Sequence, residues 1–81
     1  MTQQSNTDDI EVRKTISKRL WTILEDQNMT QKELSDISGV TPNTLATILY
    51  EKNTCRVTNL IKISKALMVS MDYICGISDE M

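Results

Sequence analysis

The chain has 81 residues, of which 40% are hydrophobic, and its nine basic and eleven acidic side chains give a formal net charge of −2. This length fits one small domain, and the scarcity of aromatic residues, glycine and proline favours an all-α fold over β-hairpins. We therefore expect no separate catalytic or sensor domain, and the acidic balance argues against a protein whose affinity comes mainly from neutralising phosphates.

A polar N-terminal segment precedes the first predicted helix. Residues 1–6 show no hydrophobic periodicity and are predicted to form a disordered tail. Thr7 can cap a helix that runs to about Asp26, with apolar residues at spacings of three and four. The expected buried stripe comprises Val12, Ile16, Leu20, Ile23 and Gln27. Trp21 and Leu24 lie off this stripe, so they are either covered within the domain or form a dimer or partner surface.

The second predicted helix spans residues 31–38. Thr30 can cap it, and Glu33 stands at the position that completes a capping box. Leu34 and Ile37 are three residues apart and so share one face, which we expect to be buried.

A short turn follows this second helix. Gly39 can take the left-handed conformation that ends a helix, and Val40 is an apolar residue that can plug the turn. Ser35 is predicted to lie where the helices before and after the turn cross. A small side chain is needed at such a crossing for the two backbones to approach.

The third predicted helix begins after Thr41, which can cap it, with Pro42 at the first helical position. Its expected buried face consists of Leu45, Ile48 and Leu49. Its polar side carries Asn43, Thr44 and Thr47, which are hydrogen-bonding groups of a size that can reach base edges in a major groove. The alternative for these three residues is an ordinary solvated helix face.

A polar loop connects the third helix to a fourth. Lys52, Asn53 and Thr54 could each donate a hydrogen bond to a phosphate, and Arg56 could add its charge, although the loop could also be merely soluble. The fourth helix carries a wide apolar stripe that closes the core: Leu60, Ile61, Ile63, Ser64 and Leu67.

The last predicted helix is short, with Ser70 as its cap and Gly76 at its end, and residues 78–81 form a C-terminal tail. This segment carries more apolar surface than so short a helix can hide in its own domain. We therefore assign part of it to a dimer or partner surface: Met71, Tyr73, Ile74 and Ile77.

Catalytic, metal and cofactor sites are not expected. No nucleophile is paired with a base, and no glycine-rich loop could cradle a phosphate, so we predict that the protein is not an enzyme. Cys55 and Cys75 lack the spacing of a metal site and are expected to be unpaired thiols; Cys75 is interpreted as a core or interface residue or, alternatively, a redox switch. Without a signal peptide, lipidation motif or spanning apolar run, a cytoplasmic location is expected.

Three blocks of sequence resemble the Cro and lambda-repressor-like helix-turn-helix proteins. They are T-Q-x-x-L-S-x-x-S-G-V-T at residues 30–41, T-L-x-x-I-L at 44–49, and L-I-K-I-S-K-A-L at 60–67, followed by V-S-M-D-Y-I at 69–74. The resemblance implies a compact five-helix domain over residues 7–77, with its helix-turn-helix motif at residues 30–50. It also implies binding to double-stranded DNA as a homodimer, with the second motif helix in the major groove.

The same resemblance assigns DNA contacts by position. It implies a phosphate contact from Gln31, base or phosphate contacts from residues 41–44 and 47, and a path along the DNA backbone for the loop at residues 52–54. Three residues depart from the family pattern, in which glycine is common at these helix ends: Asn28, Glu51 and Met68. Asparagine tolerates the left-handed conformation, whereas glutamate and methionine either adopt it at a cost or make a different turn.

Two functions fit these features. The first is a sequence-specific DNA-binding transcriptional regulator, a repressor that binds a palindromic operator as a dimer. The second is a protein-interaction module, antitoxin-like or partner-binding, that uses the helix-turn-helix fold and the surface around Trp21, Leu24 and the last helix. Salt separates them, because phosphate-driven binding weakens steeply as salt rises and an apolar protein contact does not.

Overall fold

The structure, a computed structural model, describes residues 5–52 and 55–80. Five α-helices follow one another: α1 (Ser5–Asp26), α2 (Gln31–Ser38), α3 (Pro42–Leu49), α4 (Val57–Leu67) and α5 (Met71–Ile74). No strand occurs among these residues. The predicted all-α, five-helix fold is thus confirmed. No helix in the described segments has the length and apolar composition needed to cross a membrane.

The start of α1 differs from its prediction. The helix begins at Ser5, so Thr7 lies within it and does not cap it, and Ser5 and Asn6 belong to the helix and not to a tail. The other residues assigned to that tail, 1–4, lie outside the described residues. The end of α1 at Asp26 agrees with the prediction.

Local hydrogen bonds explain why α2, α3 and α5 begin where they do. The Thr30 hydroxyl accepts from the Glu33 N–H at 3.1 Å while the Glu33 carboxylate accepts from the Thr30 N–H at 2.9 Å, which completes the predicted capping box. Thr41 and Ser70 accept in the same way at the starts of α3 and α5. Each bond satisfies an N–H group that the first turn of a helix leaves without a partner.

The core forms where α1 packs on α3 and α5, and α4 packs on α2 and α5. Its fully enclosed side chains are Leu20, Ile23, Leu34, Leu45, Leu49, Ile63 and Ile74. Four predicted members lie at the surface: Val12, Gln27, Ile37 and Ile61. From Ile10 onward along α1, the first buried residue is Ile16. On α2 the buried pair is Leu34 and Ser35, and because each residue turns the helix by about 100°, a face centred between these two residues leaves Ile37 outside.

Within residues 5–52 and 55–80, three residues other than glycine have a left-handed backbone, and they are the three that stand where the family often has glycine. The φ angles are 53° at Asn28, 61° at Glu51 and 58° at Met68. Each follows the end of a helix and closes it. Glu51 and Met68 therefore hold a conformation that side chains with a Cβ disfavour.

We expect Met68→Gly to stabilise the domain by about 1 kcal/mol, because glycine adopts this conformation without steric strain. The Met68 side chain is 90% exposed, so its removal sacrifices little packing. Urea unfolding monitored by circular dichroism measures the change. Met68→Ala is the matched control, since it removes the same side chain and keeps the strained Cβ. Equal stability of the two variants would contradict the strain argument.

Candidate nucleic-acid interface

The turn between α2 and α3 is fixed by bonds within the motif. Gly39 has a φ of 81°, and its N–H donates to the Ser35 carbonyl at 3.0 Å. The Ser35 hydroxyl donates to the Val40 carbonyl at 2.6 Å, and both residues are buried. A small residue at position 35 thus lets the turn fold directly against α2. The relative orientation of the two motif helices depends on this contact.

The far end of α3 is held by α1. The carbonyl oxygen of Leu49 accepts from the Ser17 hydroxyl, which is buried, and from the Trp21 indole N–H at 3.1 Å. Leu45 and Ile48 are enclosed on the same inner side of the helix. With its inner side packed and both ends bonded, α3 presents its opposite side as a fixed surface.

That outer surface carries a defined set of donors and acceptors. Asn43 is exposed, and Thr44 and Thr47 are half-buried. The Thr41 hydroxyl donates to the Thr44 hydroxyl oxygen at 2.9 Å, which leaves the Thr44 proton able to donate outward. The Thr47 hydroxyl donates to the Thr44 carbonyl at 2.7 Å, which leaves the Thr47 oxygen able to accept. Together with the Asn43 amide, these groups can pair with the donor and acceptor pattern of base edges.

These side chains share one open groove with the start of α4. The groove is lined by Asn43, Thr44, Thr47, Ile48, Cys55, Arg56 and Asn59. It brings together the polar residues of α3 that are predicted to contact bases and the predicted phosphate-contacting Arg56. Asn59 was missed by the sequence analysis, although it lies three residues after Arg56 and therefore on the same side of the first turn of α4.

The other predicted DNA-contacting residues of the described segments do not line this groove. Thr41, Pro42 and Lys52 are exposed. Gln31 is half-buried and does not line the groove; its side-chain amide donates to the Tyr50 hydroxyl at 3.2 Å. Asn53 and Thr54 lie outside the described residues.

Three of the six residues assigned to the dimer or partner surface are buried within the domain. Leu24 is 3% exposed, Tyr73 7% and Ile74 0%, so all three belong to the core. Trp21 and Met71 are half-buried, and Ile77 is exposed. The short α5 hides more apolar surface than its length suggests because it packs against both α1 and α4.

The C-terminal segment also returns to α1 and covers this region. The Arg19 guanidinium donates to the Ser78 carbonyl at 3.2 Å and to the Asp79 carboxylate at 3.0 Å, and it lies 4.3 Å from the centre of the Tyr73 ring. The bond to Asp79 and the contact with Tyr73 raise the pKa of Arg19. Tyr73 is therefore covered by a cation of its own chain.

Cys55 is the groove residue whose chemistry the structure changes most. Its side chain is buried, and this burial, together with the nearby Cys75 thiol, raises the pKa of Cys55 to about 11. Burial also raises the pKa of Cys75, whose side chain is only half-buried. Because the thiolate is the nucleophile, Cys55 should be the less reactive thiol.

We expect iodoacetamide at pH 8 to modify Cys75 well before Cys55 in the folded protein. A pKa near 11 gives Cys55 about 100-fold less thiolate at this pH than an unperturbed thiol. The rate at Cys55 should keep rising with pH until about pH 11. Mass spectrometry of timed samples measures both rates, and the urea-unfolded chain, in which the two thiols should react alike, is the control. Faster modification of Cys55 in the folded protein would contradict this assignment.

Comparison with known proteins agrees with this geometry. A family model for the Cro/C1-type HTH DNA-binding domain matches residues 19–80, a segment that contains the motif, the groove and the last two helices. No curated protein and no solved structure matches the chain. The resemblance to Cro and lambda-repressor-like proteins is confirmed. The chain belongs to the Cro/C1-type helix-turn-helix DNA-binding family.

Proposed function

We propose that this protein is a sequence-specific DNA-binding transcriptional regulator that represses by occupying a palindromic operator as a homodimer. The observation that carries the proposal is the outer surface of α3, where Asn43, Thr44 and Thr47 face one groove beside Arg56. A helix that is packed on its inner side and polar on its outer side can enter a major groove as a rigid unit.

The roles of the side chains follow from their chemistry. Asn43 has both an amide donor and an amide acceptor and suits bidentate pairing with adenine. Thr44 and Thr47 add a donor and an acceptor further along α3. Arg56 lines the groove, and Lys52 is exposed just after α3, where its backbone N–H donates to the Thr47 carbonyl. Both are cations and suit contacts with phosphates.

The overall negative charge does not exclude this function, because the charges are unevenly distributed. Lys32, Lys52, Arg56, Lys62 and Lys65 are exposed within or after the motif. Five of the acidic residues lie near the two ends of the chain: Asp8, Asp9, Glu11, Asp79 and Glu80. Residues 30–67 hold these five basic residues against three acidic ones, Glu33, Asp36 and Glu51, so this segment has a net positive charge that supports phosphate contacts.

A two-fold dimer would place two copies of α3 in successive major grooves, about 34 Å apart along the DNA. The residues that remain accessible from the predicted dimer surface are Trp21, Met71 and Ile77. They supply the apolar contact for this proposed dimer.

Selection of a random duplex DNA library on the purified protein at low salt, followed by sequencing, tests the proposal. The expected result is an enriched palindrome whose half-sites lie about one helical turn apart. A single unrepeated half-site would contradict the dimer. No enrichment by folded protein would contradict sequence-specific DNA binding.

A protein-interaction module is the second candidate, and exposed apolar side chains favour it. Val57 and Ile61 on α4 are exposed, at 65% and 40%, and so is Met68 directly after α4, at 90%. Ile77 is exposed near the end of the chain. An antitoxin-like protein could use such side chains to bind its partner. The affinity for a protein partner should barely change between 50 and 200 mM salt, whereas that for DNA should fall steeply, by roughly 10³-fold or more if six phosphates are contacted.

A further inference from the structure

Tyr50 connects the DNA-facing surface to the core by contacts that the proposed function does not use. It follows α3 directly, lies seven residues after Asn43 and three after Thr47, and so continues their side of the helix. Its side chain is 57% exposed. Its hydroxyl oxygen accepts from the Gln31 side-chain amide at 3.2 Å.

The ring of Tyr50 is held in place from behind. It packs edge-on against Trp21, with ring centres 5.8 Å apart and an angle of 65° between the planes. Trp21 is itself bonded to the Leu49 carbonyl. This aromatic contact can hold the Tyr50 hydroxyl, and the Gln31 amide bonded to it, in one position before a ligand binds. Neither group then has to lose conformational freedom when the ligand binds.

The direction of the bond between Gln31 and Tyr50 decides what the pair can bind. Because a Gln31 N–H occupies the Tyr50 oxygen, the tyrosine proton remains to donate, and Gln31 keeps its second amide hydrogen. The pair therefore offers two donors on neighbouring atoms. A phosphate oxygen only accepts hydrogen bonds, so it is the DNA group that suits two such donors.

We propose that Tyr50 is a further DNA-contacting residue and that Tyr50 and Gln31 hold one backbone phosphate together, with Tyr50 also positioning Gln31. This inference rests on the proposed DNA-binding function. It assigns the outer end of α3 to the DNA backbone, while Asn43 at its start contacts bases.

Tyr50→Phe tests the contact, since it keeps the ring against Trp21 and removes only the hydroxyl. We expect about tenfold weaker binding to the selected operator and to single-base variants alike, with an unchanged melting temperature. The salt dependence should also stay unchanged, because a neutral hydroxyl displaces no counterion. Lys52→Ala is the control, and it should lower the salt slope by about one unit. Binding within about twofold of the parent protein, or a loss confined to particular bases, would overturn the phosphate contact.

A double-mutant cycle tests the positioning role. If Tyr50 acts partly through Gln31, the combined loss for Gln31→Ala with Tyr50→Phe should be clearly smaller than the product of the two single losses. Losses that multiply would overturn the coupling. Failure of this inference can be told apart from failure of the proposed function. If only this inference fails, Asn43→Ala still weakens DNA binding while Tyr50→Phe does not. If the proposed function fails, the parent protein selects no DNA sequence.

Discussion

Ser35→Leu should destabilise the domain by about 3 kcal/mol or more, the largest effect we expect from a single change in the helix-turn-helix motif. Ser35 is 7% exposed and lies where the turn folds against α2, so there is no room for a larger side chain. The change also removes the hydroxyl that satisfies the Val40 carbonyl. For a domain of this size the melting temperature should fall by roughly 12 °C or more, which calorimetry measures.

Ser35→Ala separates the two causes of this loss. It removes the hydrogen bond without adding volume, so it should cost only about 1 kcal/mol and leave the fold and DNA affinity nearly intact. Ser35→Leu should instead weaken DNA binding together with stability, because a wedge at the crossing changes the orientation of α3. A leucine variant that melts and binds like the parent would refute the close-crossing argument.

Asn43→Ala should weaken operator binding by about 1 to 3 kcal/mol and relax the preference at one base pair of each half-site. Asn43 is exposed at the start of α3, so the truncation should leave stability unchanged. Fluorescence anisotropy with the operator and its single-base variants measures affinity and preference together. Thr47→Ala should behave in the same way at a different base pair.

Two controls define the Asn43 result. Lys52→Ala should weaken binding to all sequences alike, since a phosphate contact carries no base information. Thr22→Ala truncates an exposed polar side chain on α1, beside Arg19 and the C-terminal segment, and should leave binding unchanged. If Asn43→Ala preserved both affinity and base preference, the reading surface would have to lie elsewhere.

Helix caps and turns that depend on residues within about one helical turn of each other were predictable from the sequence. The capping of α2 by Thr30, of α3 by Thr41 and of α5 by Ser70 all involve partners three residues away. The left-handed turn at Gly39 likewise depends on the residue itself. From these signals the helix-turn-helix motif and the polar side of α3 follow without any knowledge of the fold.

Helix faces were less predictable, because the position of the neighbouring elements selects them. Leu24 lies off the predicted buried stripe of α1, yet it is in the core. Ile37 lies on the predicted buried face of α2, yet it is at the surface. Tyr73 was assigned to a dimer or partner surface, yet it is buried under Arg19, which also binds the C-terminal segment. Periodicity gives the angle between residues on a helix and leaves open which angle faces inward.

The sequence by itself determined the family, the five helices and the polar residues of α3, since these depend on composition and on hydrogen bonds spanning about four residues. Only the tertiary structure decided that Asn59 joins the groove with Asn43, that Glu51 and Met68 accept left-handed strain, and that Tyr50 meets Gln31 and Trp21. The groove and the Tyr50 contacts join segments that are distant in sequence, and packing of the whole core brings these segments together. The same packing holds Glu51 and Met68 in a conformation that their local preference disfavours.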